Sequence, residues 1–217
     1  GLFFLSVKIR PLLWQVTAFT AAHTVTLALA TLGYVTIPDE YMWIVESIIA
    51  ASIVYVAVEN IFTDGLNPWR PAIIFCFGLL HGLGFASVLN AYGLPDNAVI
   101  PALLGFNIGV ELGQLLCIAI AFIIVVSAIR LSEDGKANKI AAWIYMGVAI
   151  LVVPLAIIPI SAMGPDAVEA YLPLLFMVAA LSGLCAASCA VERFESYRHM
   201  VAMPASIGIA LIGAYWV

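Results

Sequence analysis

The feature that most constrains this chain is a series of apolar runs, each long enough to cross a bilayer. A transmembrane helix needs roughly 20 consecutive apolar residues. The chain is 65% hydrophobic and 10% charged, whereas about a quarter of the residues in soluble domains are charged. So few charges cannot cover a surface in water, and the sequence predicts an all-α polytopic transmembrane helix bundle. Seven full spans are predicted, at 11–35, 41–62, 71–91, 98–129, 139–161, 170–191 and 200–217.

The first residues repeat this pattern in shortened form. The opening GLFFLSV is too short to span a bilayer, and the basic residues Lys8 and Arg10 follow it, which is the reverse of the order in a signal peptide. We therefore expect the second half of an N-terminal helix here. No soluble domain or long linker interrupts the chain, so we expect residues 1–217 to form a single transmembrane domain.

The loop charges predict the orientation of the bundle. With alternating helices, all 8 Lys and Arg residues fall on one side. By the positive-inside rule this side is cytoplasmic, and the C-terminus then lies on the opposite side of the membrane. The loops of that opposite side carry only acidic charges, at Asp39, Glu40, Asp96, Asp166 and Glu169.

Several function classes find no support in the sequence. No basic tract indicates a nucleic-acid partner, and no P-loop pattern indicates ATP hydrolysis. No lysine at a span centre is available for a retinal Schiff base, and no serine stands in a nucleophile context. The four cysteines all lie within apolar segments, which argues against a disulfide framework. Cys185 and Cys189, one turn apart, are interpreted as small packing residues in preference to a thiolate metal site.

Three ionisable residues lie near the midpoints of predicted spans, namely His23, His81 and Glu111. Ionisable groups at this depth are costly, usually face the bundle interior and are candidates for function. No lysine or arginine lies mid-span to pair with Glu111, which leaves a proton or a metal ion as its partner. For either histidine alone, the competing interpretation is a packing residue bonded to a neighbouring helix.

Further polar residues accompany these three. Asn107, Glu111 and Gln114 follow a spacing of i, i+4 and i+7, so they share one helix face. Thr20 and Thr24 flank His23 on its own helix. These residues are expected to offer hydrogen-bond partners to the mid-span groups.

Two carboxylates of the second span, Glu46 and Glu59, lie near its opposite ends. They are 13 residues apart, or about 20 Å along a helix, so they cannot bind one ion together. They are expected to mark the two ends of an ion path. The alternatives are a hydrated interfacial carboxylate for Glu46 and an ion pair with Arg70 for Glu59.

Glycines surround His81 in the stretch FGLLHGLGFASVL. Gly78 and Gly82 are four residues apart, a spacing that allows two helices to approach closely. Gly84 extends this smooth surface. The glycines therefore predict tight helix packing beside His81.

Several stretches resemble the HupE/UreJ family of bacterial membrane proteins. They are FTAAHTVTLALATLG, ESIIAASIVYVAVEN, FGLLHGLGFASVL, GFNIGVELGQL and the closing MPASIGIALIGAYW. The resemblance covers about residues 11–120 and 200–217. It makes 11–129 with 200–217 a family-like core and 139–191 two additional helices. It also implies a multi-pass protein of the bacterial inner membrane, in which the loop charges predict a periplasmic C-terminus.

The resemblance implies a permease or binding protein for nickel or a related divalent metal, and not an enzyme. Imidazole with carboxylate and amide oxygens suits Ni²⁺, Co²⁺ or Zn²⁺ as the transported substrate, and no organic cofactor is expected. His23, His81 and Glu111 are then the expected metal ligands. The expected outer shell and pathway consist of Thr24, Glu46, Glu59, Asn107 and Gln114.

Two other interpretations stay open. In the first, the chain is a structural membrane subunit of a larger energy-transducing complex, and its polar residues serve only helix contacts. In the second, it is a pigment or haem protein that uses His23 or His81 as an axial ligand, which leaves Glu111 unexplained. The expected surroundings are the lipid bilayer and, in the first case, a larger membrane complex.

Overall fold

The computed structural model describes residues 9–63, 67–92, 98–131, 138–190 and 197–217. The half-helix expected at the N-terminus falls on 1–8 and lies outside the described residues. The described residues form seven α-helices: α1 Ile9–Thr31, α2 Met42–Phe62, α3 Arg70–Tyr92, α4 Val99–Leu131, α5 Lys139–Ser161, α6 Pro165–Ala190 and α7 Met203–Trp216.

The predicted membrane-spanning fold is confirmed. Within the described ranges, seven helices are long and apolar enough to cross a membrane; the last of them includes a π-helical turn, Arg198–Ala202, ahead of α7. Large apolar side chains such as Trp143 and Leu155 are exposed, as expected of helices whose outer surfaces contact lipid.

Two helix boundaries differ from the predicted spans for identifiable reasons. The first span was predicted to reach residue 35, but α1 ends at Thr31 because Gly33 adopts a left-handed conformation with φ +78°. The amide of Tyr34 then bonds to the carbonyl of Leu29 at 2.9 Å, as in a Schellman motif. The sixth helix begins at Pro165, earlier than predicted, because proline is well tolerated at the first helical position.

The chain divides into two compact units. The first contains the described residues up to Leu115 together with Ser206–Val217, and the second contains Leu116–Ala205. The first unit thus includes α1, α2, α3, the beginning of α4 and most of α7. Every residue proposed from the sequence as a ligand or pathway residue belongs to this first unit.

In the first unit, α1 and α3 pack in parallel at very short distance. A Cβ on Gly78 would lie 2.5 Å from the carbonyl oxygen of Phe19, and a Cβ on Gly82 would collide with the carbonyl of His23 and the hydroxyl of Thr26. Gly78 and Gly82 therefore lie where the backbones of α1 and α3 approach each other closely.

Gly84 contributes to packing in a different direction. A Cβ there would lie 2.6 Å from the Cδ1 of Ile49 in α2, so Gly84 makes room for α2 and does not extend the surface that contacts α1. The α1–α3 contact is instead reinforced by Thr26, whose hydroxyl donates to the carbonyl of Leu79 at 2.7 Å.

The second unit pairs α5 with α6. The hydroxyl of Tyr145 in α5 donates to the carbonyl of Ile124 at 2.9 Å. Cys185 and Cys189 are buried free thiols, and the sulfur of Cys189 lies 3.8 Å from the carbonyl oxygen of Ala128. Their burial among packed helices agrees with the interpretation of these cysteines as packing residues.

Candidate functional site

His81 lies in the middle of α3, and its tautomer is determined by its own helix. The Nδ1 atom lies 2.8 Å from the carbonyl oxygen of Phe77. A carbonyl oxygen can only accept, so Nδ1 carries the hydrogen in the neutral ring and Nε2 keeps its lone pair. Nε2 is therefore the nitrogen that His81 can offer to a metal ion.

His23 occupies an unusual environment in α1. The residue is 1% exposed, and neither ring nitrogen has a hydrogen-bond partner among the described residues. Its ring stacks on Phe19 with centroids 6.1 Å apart and meets the edge of Phe85 at 5.3 Å. Buried polar atoms are nearly always hydrogen-bonded. The imidazole of His23 is therefore an exception among buried polar side chains.

The two histidines belong to the same α1–α3 contact. The ring of Phe19 also meets His81, in an edge-on arrangement with centroids 5.0 Å apart. Phe19 of α1 therefore contacts both imidazoles.

The polar face of α4 contacts a different face of α1. Thr24 donates its hydroxyl to Asn107 Oδ1 at 2.9 Å, sharing the hydrogen with the carbonyl of Thr20 at 2.7 Å. About two turns further along α4, Gln114 Oε1 accepts a hydrogen bond from the hydroxyl of Thr20 at 3.3 Å. Thr24, Asn107 and Gln114 therefore join α1 to α4.

Glu111 lies between these two contacts on α4. It is half-buried, and no hydrogen bond or ion pair is seen for it among the described residues. Because Asn107 and Gln114 contact Thr24 and Thr20, Glu111 lies in the same layer as His23. Its neighbours on α4 contact Thr20 and Thr24 of α1, whereas His23 contacts Phe85 of α3.

The expected three-ligand set is accordingly not assembled. Within the described ranges, no three His, Cys, Asp or Glu side chains are grouped closely enough to hold a metal ion. The structure brings His23 and His81 together and leaves Glu111 apart from them. The physical reason is the rotation of α1, which directs Thr20 and Thr24 to α4 and His23 to α3.

A cavity of about 140 Å³ opens beside His81. It lies between α1, α2, α3 and α7, all within the first unit. Its lining is apolar except for the imidazole and one hydroxyl: Phe19, Ser52, Ile53, Val56, Ile74, Phe77, His81 and Ile209.

A larger crevice of about 370 Å³ lies further along the same helices, toward the end of α2 that carries Glu46. Its lining consists of Glu46, Ile49, Ala50, Ile53, Gly84, Phe85 and Trp216. Ile53 borders both spaces, and Phe85 separates the crevice from His23. The only charged group of this crevice is the Glu46 carboxylate, which has no ion-pair partner among the described residues.

Glu59, at the other end of α2, is engaged in a buried ion pair. Its Oε2 atom accepts from Arg70 Nη1 at 2.9 Å, which is the alternative that the sequence offered for this residue. The same guanidinium contacts Asn60 and Gln15. Glu59 is therefore not an open carboxylate at the end of a path.

Sequence reasoning missed three residues of the site: Gln15, Asn60 and Phe85. Gln15 is 2% exposed, and an amide inside an apolar span is a signal that points to a buried polar contact. Asn60 directly follows Glu59, so its place in the Arg70 cluster was open to inference. Phe85 gave no signal, because nothing in a sequence distinguishes an aromatic ring against histidine from one against lipid.

A family model described as "HupE / UreJ protein" matches residues 1–159. The matched range covers α1 to α4 and nearly all of α5, although the sequence motifs place α5 outside the resemblance. It ends before α6 and α7, so the likeness of residues 200–217 rests on the sequence motif. No curated protein and no solved structure matches the chain.

Proposed function

The chain belongs to the HupE/UreJ family, and from this premise we propose that it is a permease for a divalent transition-metal ion such as Ni²⁺ or Co²⁺. Membership suggests a membrane protein connected with nickel and cobalt transport, and seven apolar helices fit that description. The proposal adds the ion-binding position and the route. It assigns no enzymatic activity to the chain.

The observation that carries the proposal is the unpartnered imidazole of His23. Burying a polar group without a hydrogen bond costs about 1–3 kcal/mol. Such a group persists in a folded protein when a ligand or a function requires it, and imidazole nitrogen is a preferred ligand of Ni²⁺, Co²⁺ and Zn²⁺. We assign His23 as the first nitrogen ligand of the transported ion.

His81 supports the assignment through its fixed tautomer. The hydrogen bond from Nδ1 to Phe77 orients the ring and leaves Nε2 as the ligand atom, as backbone carbonyls commonly do for metal-binding histidines. Phe19 contacts both rings. The two imidazoles are thus the natural pair of nitrogen ligands in the first unit.

Glu111 is assigned as the source of negative charge in this layer. A divalent ion in a medium of low dielectric constant is costly without a counter-charge, and Glu111 is the mid-span carboxylate of the first unit. On either side of Glu111 along α4, Asn107 and Gln114 join this helix to Thr24 and Thr20 of α1. They are proposed to hold the polar layer together while the ion passes.

The route follows from the two spaces beside α2 and α3. An ion attracted by Glu46 enters the larger crevice, passes Ile53 and reaches His81 in the smaller cavity. We propose that the Glu46 end faces the periplasm and the Arg70 end the cytoplasm of a bacterial inner membrane, as the distribution of loop charges favours. The C-terminus is then periplasmic.

The test is the metal content of the purified full-length protein after equilibration with Co²⁺ or Ni²⁺. The wild type is expected to bind one ion, and His23→Ala and His81→Ala are expected to lose it. His199→Ala, which removes the third histidine of the chain, serves as the matched control and should retain binding. Absence of binding in the folded wild type would contradict the proposal.

The same preparation separates the two other interpretations. A haem or pigment protein shows a visible absorption spectrum before any metal is added. A purely structural subunit binds no metal and tolerates His81→Ala with its fold intact. Metal binding that depends on both histidines is compatible with neither.

A further inference from the structure

Arg70 occupies an unexpected position for an arginine at the end of a transmembrane helix. It begins α3, yet the residue is only 1% exposed. Arginines at helix ends ordinarily extend their charged group toward water or lipid headgroups. The side chain of Arg70 is instead turned into the bundle, where particular partners hold it.

Those partners are three oxygen atoms from two other helices. Arg70 Nε donates to Gln15 Oε1 of α1 at 3.2 Å. Its Nη1 donates to Glu59 Oε2 at 2.9 Å, and its Nη2 donates to Asn60 Oδ1 at 3.0 Å, both in α2. One carboxylate and two amide oxygens thus surround a buried positive charge.

This cluster lies at the end of the cavity that contains His81. Each helix that contributes to the cluster also lines the cavity four residues away, which is about one turn or 5.4 Å along the axis. An ion that moves from His81 toward this end of the bundle therefore meets the guanidinium first. The pairs are Gln15 with Phe19 in α1, Asn60 with Val56 in α2, and Arg70 with Ile74 in α3.

We propose that Gln15, Glu59 and Asn60 form a second cation site, for a divalent ion, which the guanidinium of Arg70 occupies as a tethered cation. Carboxylate and amide oxygens are ligands that divalent ions such as Mn²⁺ and Co²⁺ accept. When an ion arrives, it replaces Arg70 beside Glu59. When the ion leaves, the Arg70–Glu59 pair forms again and closes the cavity.

Stability alone gives little reason for this arrangement. A buried ion pair is often no more stabilising than apolar residues of similar volume. The Arg70–Glu59 pair lies at the end of the cavity, where it would block the passage of an ion. The role of the second site in transport rests on the proposed function. The existence of the site does not, because it needs neither histidine.

The experiment therefore uses the full chain with His81→Ala as the background, so that binding at the histidines does not contribute. Co²⁺ binding is measured by equilibrium dialysis, and the thermal unfolding temperature is followed with and without Co²⁺. Arg70→Ala in this background is expected to gain one Co²⁺ and to unfold at a higher temperature when Co²⁺ is present. Adding Glu59→Gln should abolish both effects.

Arg70→Lys provides the second variant, since it keeps the positive charge but replaces the planar fork of the guanidinium with a compact ammonium. It is expected to bind Co²⁺ more weakly than Arg70→Ala, and it decides the question if Arg70→Ala does not fold. A folded Arg70 variant that binds no Co²⁺, or binding that survives Glu59→Gln, would overturn the second site. Loss of Co²⁺ binding in the His81→Ala single variant supports the site at the histidines. A gain of Co²⁺ binding when an Arg70 substitution is added to His81→Ala supports the second site.

Discussion

Gly82 of α3 lies directly against the backbone carbonyl of His23 in α1, so closely that a Cβ on the glycine would collide with that oxygen. His81 immediately precedes this glycine. The contact therefore fixes the backbone position of one histidine relative to that of the other, whatever the orientation of their side chains.

Gly82→Ala tests this contact. The added methyl must push α1 and α3 apart, and such overpacking is expected to lower the free energy of unfolding by about 1–3 kcal/mol and to weaken metal binding. Unfolding in detergent and Co²⁺ titration measure the two effects. Gly109→Ala is the matched control, because a Cβ there has nothing within 4 Å, and it should leave both quantities unchanged.

Glu59→Gln tests the buried ion pair. Removing one partner leaves the Arg70 charge buried without its counter-ion, which is expected to lower the free energy of unfolding by about 3–5 kcal/mol. Glu46→Gln makes the same chemical change on an exposed residue of the same helix, and it should change stability little. Equal losses in both variants would contradict the energetic importance of the pair.

Thr24→Val tests the connection between α1 and α4. The substitution keeps the shape of the side chain but removes the hydrogen bond to Asn107. Side-chain hydrogen bonds within membranes are worth about 0.6 kcal/mol on average, so a loss of that size is expected in unfolding measurements. Thr17→Val, at an exposed position of α1, provides the control and should have a smaller effect.

The helices and their order follow from the sequence because the length and apolarity of each run dictate them. The spacing of Gly78 and Gly82 also predicts the close approach of another helix, although it does not identify that helix as α1. The sequence offered an ion pair with Arg70 as the alternative interpretation of Glu59 because only a short connection separates the two residues. These features depend on one segment, or on two that are close in the chain.

The rotation of each helix about its axis cannot be predicted from the sequence of that helix alone. The sequence places His23 and Glu111 at one depth, but whether they face each other depends on how α1 packs against two helices at once. In the structure α1 directs Thr24 to α4 and His23 to α3. The burial of Gln15 beside Arg70 has the same origin, because it requires three helices to meet.

Metal binding should depend on pH through the two imidazoles. Only the neutral ring has a lone pair for the metal, so protons compete with the metal for each imidazole. As the pH falls into the range where the rings take up a second proton, affinity should decrease by up to about tenfold per pH unit for each histidine ligand. Co²⁺ titrations across this range measure the slope, and a pH-independent affinity would contradict imidazole ligation.

Glu46→Gln tests the route. Loss of the carboxylate at the crevice should reduce attraction of the cation, so the KM for uptake into proteoliposomes should rise while the maximal rate changes little. The effect should shrink at high salt, because exposed charges are screened. Glu40→Gln, which changes an exposed carboxylate of the connection before α2, should leave KM nearly unchanged.

The most direct measurement is the X-ray absorption spectrum of the full-length protein loaded with Ni²⁺ or Co²⁺. The account predicts the scattering pattern of two imidazole rings in the wild type, and the loss of this pattern together with the bound metal in His23→Ala and in His81→Ala. A spectrum with only oxygen neighbours, identical in the wild type and both variants, would contradict it.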